Sequence, residues 1–174
     1  MEKLEQHLIS RGMDPSLYGP ALDDKNRVAT FYLYNLSGQI AGYQQYRPEG
    51  SKKNNNDPRE GKYFTRAGFQ KNVVFGLEFH NPDDDRMFVT EGIFKAGVLH
   101  RLGYNAIAVL GGTPKPLRPW FFAMEGNFRM IAIGDPDATG QKLVNTVGKG
   151  WCSPVDLDEM MDYDIEEMLR TRAG

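Results

Sequence analysis

From residue 86 onward the chain alternates short apolar runs with helix-forming stretches, and this alternation constrains its fold more than any other feature. Apolar runs at 87–90, 106–110, 129–133 and 151–155 read as strands, and 93–102, 140–147 and 158–170 read as helices. Prolines break the remaining segment, 113–124. Strands separated by helices predict an α/β fold with a parallel, right-handedly wound sheet flanked by helices. Gly103 fits a helix stop, and Gly111-Gly112 lets the chain leave its strand tightly.

Two of these strands run into acid. One ends at Glu91-Gly92, and the other is followed by Gly134-Asp135-Pro136-Asp137-Ala138-Thr139-Gly140. Neighbouring parallel strands finish at one sheet edge, so Glu91, Asp135 and Asp137 are expected to converge in a crevice able to hold Mg²⁺ or Mn²⁺. If the strand continues through them, Asp135 and Asp137 point to one side as i and i+2. Glu91 then binds metal or acts as general base. The other reading of Asp135-Pro136-Asp137 is a turn in which Asp137 caps the following helix. Ions held by such carboxylates suit the joining of nucleotides, in which a 3′-hydroxyl attacks an α-phosphate and charge on the leaving pyrophosphate is neutralised.

With 174 residues and 40% apolar content, one folded body is expected, in two parts: a small α+β part over 1–85 and the parallel sheet over 86–174. No apolar run reaches 18 residues and the N-terminus lacks an apolar secretory core, which predicts a soluble, cytoplasmic chain. The single cysteine, Cys152, excludes an internal disulfide and a cysteine-rich zinc module, and is expected to be a small buried hydrophobe. In the first part a helix over 3–11 carries Leu4 and Leu8 on one face and stops at Gly12, and Asp14-Pro15 turns the chain. Strands 28–34 and 39–46 form a hairpin around Asn35-Leu36-Ser37-Gly38. A mobile, exposed loop is expected over 47–61, with its three asparagines, and order resumes at 62–66.

The net charge of −2 is unevenly spread. Residues 43–72 carry seven basic side chains (Arg47, Lys52, Lys53, Arg59, Lys62, Arg66, Lys71) against three acidic ones, whereas residues 154–174 carry seven acids against two arginines. Such asymmetry fits a polyanion-binding surface on one side of the molecule, or two solvated faces.

Together Glu91-Gly92 and Asp135-Pro136-Asp137…Gly140 resemble the two signatures of the TOPRIM fold of topoisomerases, primases and related nucleases. Upstream, Leu8-Ile9-Ser10-Arg11-Gly12, the hairpin ending at Arg47, Lys62-Tyr63-Phe64 and Val73-Val74-Phe75-Gly76-Leu77 resemble the catalytic core of bacterial-type DNA primases. The resemblance implies a minimal, phage-type primase unit, in the host cytoplasm if phage-encoded, that makes short RNA primers on single-stranded DNA from ribonucleoside triphosphates with Mg²⁺. It implies Glu91, Asp135 and Asp137 as catalytic metal ligands, and Asp156 and Asp158 as the last acidic pair, with Asp162 and Asp164 competing for that role. Arg27, Arg47 and Lys62 are the implied contacts to triphosphate or template, with Lys95 and Lys142 placed beside them. Tyr63 stacks on a base or packs in the core. Three departures stand out: Lys95 replaces the aspartate that primases usually carry four residues after the glutamate, and there it either pairs with Glu91, replaces a metal or grips a phosphate; the zinc-binding domain is missing; and no helicase motif occurs. A helicase, a single-strand-binding protein or a zinc-binding subunit is the implied partner. A metal-dependent nuclease and a catalytically degenerate binding module are the alternatives.

Overall fold

The computed structural model describes residues 2–35, 37–52, 56–68, 73–111 and 115–173. Leu36, Lys53, Asn54, Asn55, Lys71, Gly112, Thr113 and Pro114, which figure in the expectations above, lie outside them. The chain forms two compact units, Met1–Val73 and Val74–Gly174.

In the first unit, helix α1 (Leu4–Ser10) buries Leu4 and Leu8, one turn apart, and the chain leaves it through Gly12 at φ 74°. Asp14 does more than turn the chain. Its carboxylate accepts the Ser16 amide and caps a one-turn helix, α2 (Pro15–Tyr18), whose first residue is a proline with no amide to satisfy. The expected hairpin, β2 (Val28–Tyr34) with β3 (Ile40–Tyr46), is the centre of a four-stranded antiparallel sheet in the order β1-β2-β3-β4, flanked by β1 (Ala21–Asp23) and β4 (Tyr63–Ala67). Phe31, Leu33 and Tyr46 fill its buried face. The described part of 47–61 includes a 3-10 turn, Pro58–Glu60, capped by Asp57.

The second unit is the parallel sheet. Its elements are β5 (Arg86–Thr90), α3 (Ile93–Arg101), β6 (Ala106–Ala108), α4 (Arg118–Met124), β7 (Arg129–Gly134), α5 (Ala138–Val147), β8 (Gly150–Cys152) and α6 (Asp162–Arg172). Every strand pair is parallel, in the order β6-β5-β7-β8. Met87, Phe88, Val89, Ile131, Ala132 and Ile133 are all fully buried, as strands covered on both faces require. Met87, Val89, Met130 and Ala132 pack against Phe121 and Met124 of α4 and Leu143 and Val147 of α5.

Several sequence expectations need correction. Residues 74–85 pack with the second unit rather than the first, because Phe75 bridges to Ala108 beside the sheet. Pro119 of the broken segment starts structure instead of ending it, standing in the first turn of α4, where its missing amide costs nothing. The last helix begins at Asp162, and Asp158 lies in a preceding 3-10 turn, Leu157–Glu159. Cys152 is half-buried at the end of edge strand β8 rather than sealed in the core. Strand β7 ends at Gly134, so Asp135 and Asp137 leave the strand and the i, i+2 argument does not apply to them.

The turn after β7 depends on Gly134 and Gly140. A Cβ at Gly134 would meet the Gly140 Cα at 2.7 Å, and one at Gly140 would overlap the Asp135 backbone. Their missing side chains allow the first turn of α5 to sit directly against the strand end. Gly140→Ala is expected to lose about 1–3 kcal/mol through overpacking, read as a lower urea midpoint at unchanged slope.

Candidate functional site

β5 connects through α3 to β6 on one side, and the chain then crosses back to place β7 on the other side of β5. The strand order therefore reverses between β5 and β7, and a crevice opens there beyond the carboxyl ends of the strands. The pairing Met87↔Met130, Phe88↔Ile131 and Val89↔Ala132 brings both strands to the same edge. Glu91 leaves one and Asp135 the other. The Asp135 amide donates to Glu91 Oε1 at 3.2 Å, which ties the two strand ends together.

Lys95, in the first turn of α3, reaches into this crevice. Its ammonium forms an ion pair and hydrogen bond with Asp135 and lies 3.5 Å from Asp156 Oδ1, with its side chain only 12% exposed. The lysine expected near Glu91 is thus bound to other acids. Burial pulls its pKa down, but Asp135, Asp156 and Asp158 outweigh burial and hold it above the ordinary lysine value. Glu91 shifts upward as well, mainly by burial and then by the charge of Asp135, against its hydrogen bond from the Asp135 amide and the pull of Lys95.

Asp137 has a different role. Its Oδ1 accepts the amides of Thr139 at 2.7 Å and Gly140 at 2.9 Å, capping α5. Of the two readings of Asp135-Pro136-Asp137, the helix cap is the one the backbone forms. Among the described residues no three acids, histidines or cysteines are grouped to hold a metal ion, and an ammonium already sits between Asp135 and Asp156. Glu91, Asp135, Asp137, Asp156 and Asp158 have suitable oxygen donors. In this arrangement, however, they do not fit a divalent ion bound alongside Lys95.

The remaining candidates stand on other segments of the chain. Lys142 is exposed on α5. Arg27, Arg47, Lys62 and Tyr63 belong to the first unit. Arg27 is committed internally, with Nε and Nη2 donating to Glu49 Oε1 at 3.2 Å and Nη1 to the Glu2 carbonyl at 2.8 Å. Arg47 donates to Gln45 Oε1 through Nη2, and its buried Nη1 meets no acceptor among the described residues. Its backbone amide donates to the Lys62 carbonyl, which prolongs the β3–β4 ladder. Tyr63 is 39% exposed and lies 5.4 Å, ring centre to ring centre, from Tyr46, so one face is packed.

Sequence reasoning missed two residues at the acidic edge. Leu110 has φ 61° and its amide donates to the Glu91 carbonyl at 3.0 Å, steadying the backbone that carries the glutamate. Its place before Gly111 was the available signal. Cys152 pairs with Gly134 in the parallel register and so ends β8 at the same edge, where burial and then Glu91, Asp137 and Asp135 push its thiol up.

No protein-family model and no curated protein sequence matches this chain. Solved structures do. The primase fragment of the bacteriophage T7 primase-helicase superposes with a TM-score of 0.71 at 18% identity, over 96% of this chain and 73% of that one. The Aquifex aeolicus primase, with its zinc-binding and RNA polymerase domains, gives 0.69 at 16% identity over 96% of this chain and 54% of that one. A DnaG primase catalytic domain bound to single-stranded DNA gives 0.62 at 19% identity over 97% and 57%. This chain thus spans little more than half the length of the last two, and its fold is that of DNA primase catalytic cores.

The raised pKa of Glu91 has a consequence for stability. Above pH 4.5, the ordinary glutamate value, the unfolded chain gives up a proton that the folded chain still holds. Its contribution is fully present below that pH and is lost as pH rises through the folded value. Glu91→Gln keeps an acceptor for the Asp135 amide and never carries the charge. In urea unfolding from about pH 3 to 8, it should gain on the wild type as pH rises and converge with it below 4.5; a constant difference would show that Glu91 titrates ordinarily.

Proposed function

We propose that this chain is a primase-type catalytic module that makes short RNA primers on single-stranded DNA from ribonucleoside triphosphates. The observation that carries this reading is the placement of Glu91 beside Asp135 at the switch point of a sheet with the primase-core fold. A carboxylate with its pKa raised is a better proton acceptor near neutral pH. In the proposed step Glu91 takes the proton of a 3′-hydroxyl as that oxygen attacks the α-phosphate, and pyrophosphate leaves with the electrons of the broken bond. Arg47 and Lys62 supply sequence-independent contacts to phosphate. Template use finds support in the similar DnaG domain bound to single-stranded DNA, and in similar T7 primase domains bound to an RNA/DNA hybrid. A partner that engages template, such as a zinc-binding subunit or a helicase, completes this picture.

One observation favours a second reading. Lys95 already neutralises Asp135 and Asp156, as suits a module that holds nucleic acid or a replication protein without performing chemistry.

The deciding experiment incubates the protein with single-stranded DNA, ribonucleotides and Mg²⁺ or Mn²⁺, and scores both new RNA and strand breaks. The primase reading expects short RNA products, and a loss of about 10²–10⁴-fold in Glu91→Gln. Strand breaks without RNA would point to nuclease activity, and DNA binding with neither product would leave the binding module. A companion titration measures DNA affinity against salt. Arg47→Ala and Lys62→Ala are each expected to lower the slope by about one, as loss of one phosphate contact does. Unchanged slopes would remove both residues from the interface.

A further inference from the structure

A buried ammonium and a bound metal ion are alternative solutions to the same electrostatic problem. Asp135 and Asp156 face each other across the crevice, with Glu91 on the adjoining strand end, and such a group of acids needs a counter-ion to coexist in a half-buried place. In this chain the counter-ion is covalently attached. Lys95 leaves the first turn of α3, where its amide donates to the Gly92 carbonyl and its neighbours Ile93, Phe94 and Ala96 are buried, so its backbone is fixed. A surface lysine keeps its head in water. This one does not: its side chain is 12% exposed, and its ammonium contacts two aspartates whose side chains are 19% and 37% exposed.

We infer that Lys95 is the resident cation of the crevice, doing at Asp135 and Asp156 what a divalent ion would otherwise do. A divalent ion must therefore displace Lys95 rather than bind beside it. A dication on Asp135 would lie within a few ångströms of the ammonium, in a site that water and salt screen poorly. The inference rests on the geometry of the crevice alone and holds whether or not the chain synthesises primers.

The test uses the full chain without substrate, so that failure of this inference and failure of primer synthesis remain distinguishable. Lys95→Met keeps the length of the stem and removes the charge. Wild type should show no saturable Mn²⁺ binding by calorimetry at low-millimolar ion, and no shift of its melting temperature with Mg²⁺ or Mn²⁺. Lys95→Met should melt roughly 5–10 °C lower without ions, since it leaves a half-buried carboxylate unpaired. It should recover most of that loss with Mn²⁺, binding the ion on the order of tenfold or more tightly than wild type. Adding Asp135→Asn to Lys95→Met should abolish the recovery. Equal Mn²⁺ affinity in wild type and Lys95→Met, or a variant that neither loses stability nor responds to the ion, would overturn the inference. Should Lys95→Met fail to fold, ¹⁵N-lysine spectra of the wild type decide. The Lys95 ammonium resonance should stay unshifted while no Mg²⁺ binds and be lost as any ion binds; saturable Mg²⁺ binding with that ammonium still paired to Asp135 would overturn the inference.

Discussion

The parallel pairing of β5 with β7 is the constraint on which the site depends. It brings two strands more than forty residues apart in sequence to one edge in register, from Met87↔Met130 to Val89↔Ala132. Because β6 lies on the far side of β5, the strand order reverses at this pair and forms the crevice beyond the strand ends. Two polar residues at that edge are fastened to the sheet: Glu91 through the Leu110 amide at its carbonyl and the Asp135 amide at its carboxylate, and Ser153 through its amide and hydroxyl to the Gly134 carbonyl. The apolar faces of the same strands, packed against α4 and α5, provide the rigidity that holds these groups in place.

Charge within the crevice follows from how little water reaches it. Burial drives Glu91 upward, and it would drive Lys95 downward if the acids around it did not prevail. An ammonium in such a place is strongly held only while its partners remain, and the partners are tolerated only while it does. This mutual dependence separates Lys95 from Arg59 of the first unit. Arg59 there pairs with Asp57 in full view of solvent, where an ion pair contributes little.

The sequence made the parallel sheet legible because its strands are apolar and its helices have the lengths and stops that periodicity detects; Gly103, at φ 85° just past α3, is one such stop. It hid what depends on distant neighbours. β1 has three exposed residues and exists because β2 offers an open edge, so no local pattern announces it. α4 was concealed by prolines that halt a helix when they fall inside it and start one when they fall at its head. The partner of Lys95 could not be read at all. Spacing along the chain pointed to Glu91, four residues away, whereas the fold delivers Asp135, forty residues away across the strand reversal.

The acidic residues of the two motifs carry unequal weight as evidence of chemistry. Asp137 is accounted for by folding, since α5 needs a side chain to accept the amides of Thr139 and Gly140. Gly140 is likewise accounted for by the close approach of α5 to β7. Asp135 answers to Lys95, and a buried ion pair is often no more stable than an apolar pair of the same shape. A protein selected only for stability would gain nothing obvious from either member. Glu91 goes further: its ionised form is opposed by burial and by Asp135, and the structural service of its carboxylate, accepting the Asp135 amide, is within reach of a neutral glutamine. A carboxylate that folding does not require, held at the crevice mouth of a primase-like sheet, is the residue on which a chemical role for this edge must rest.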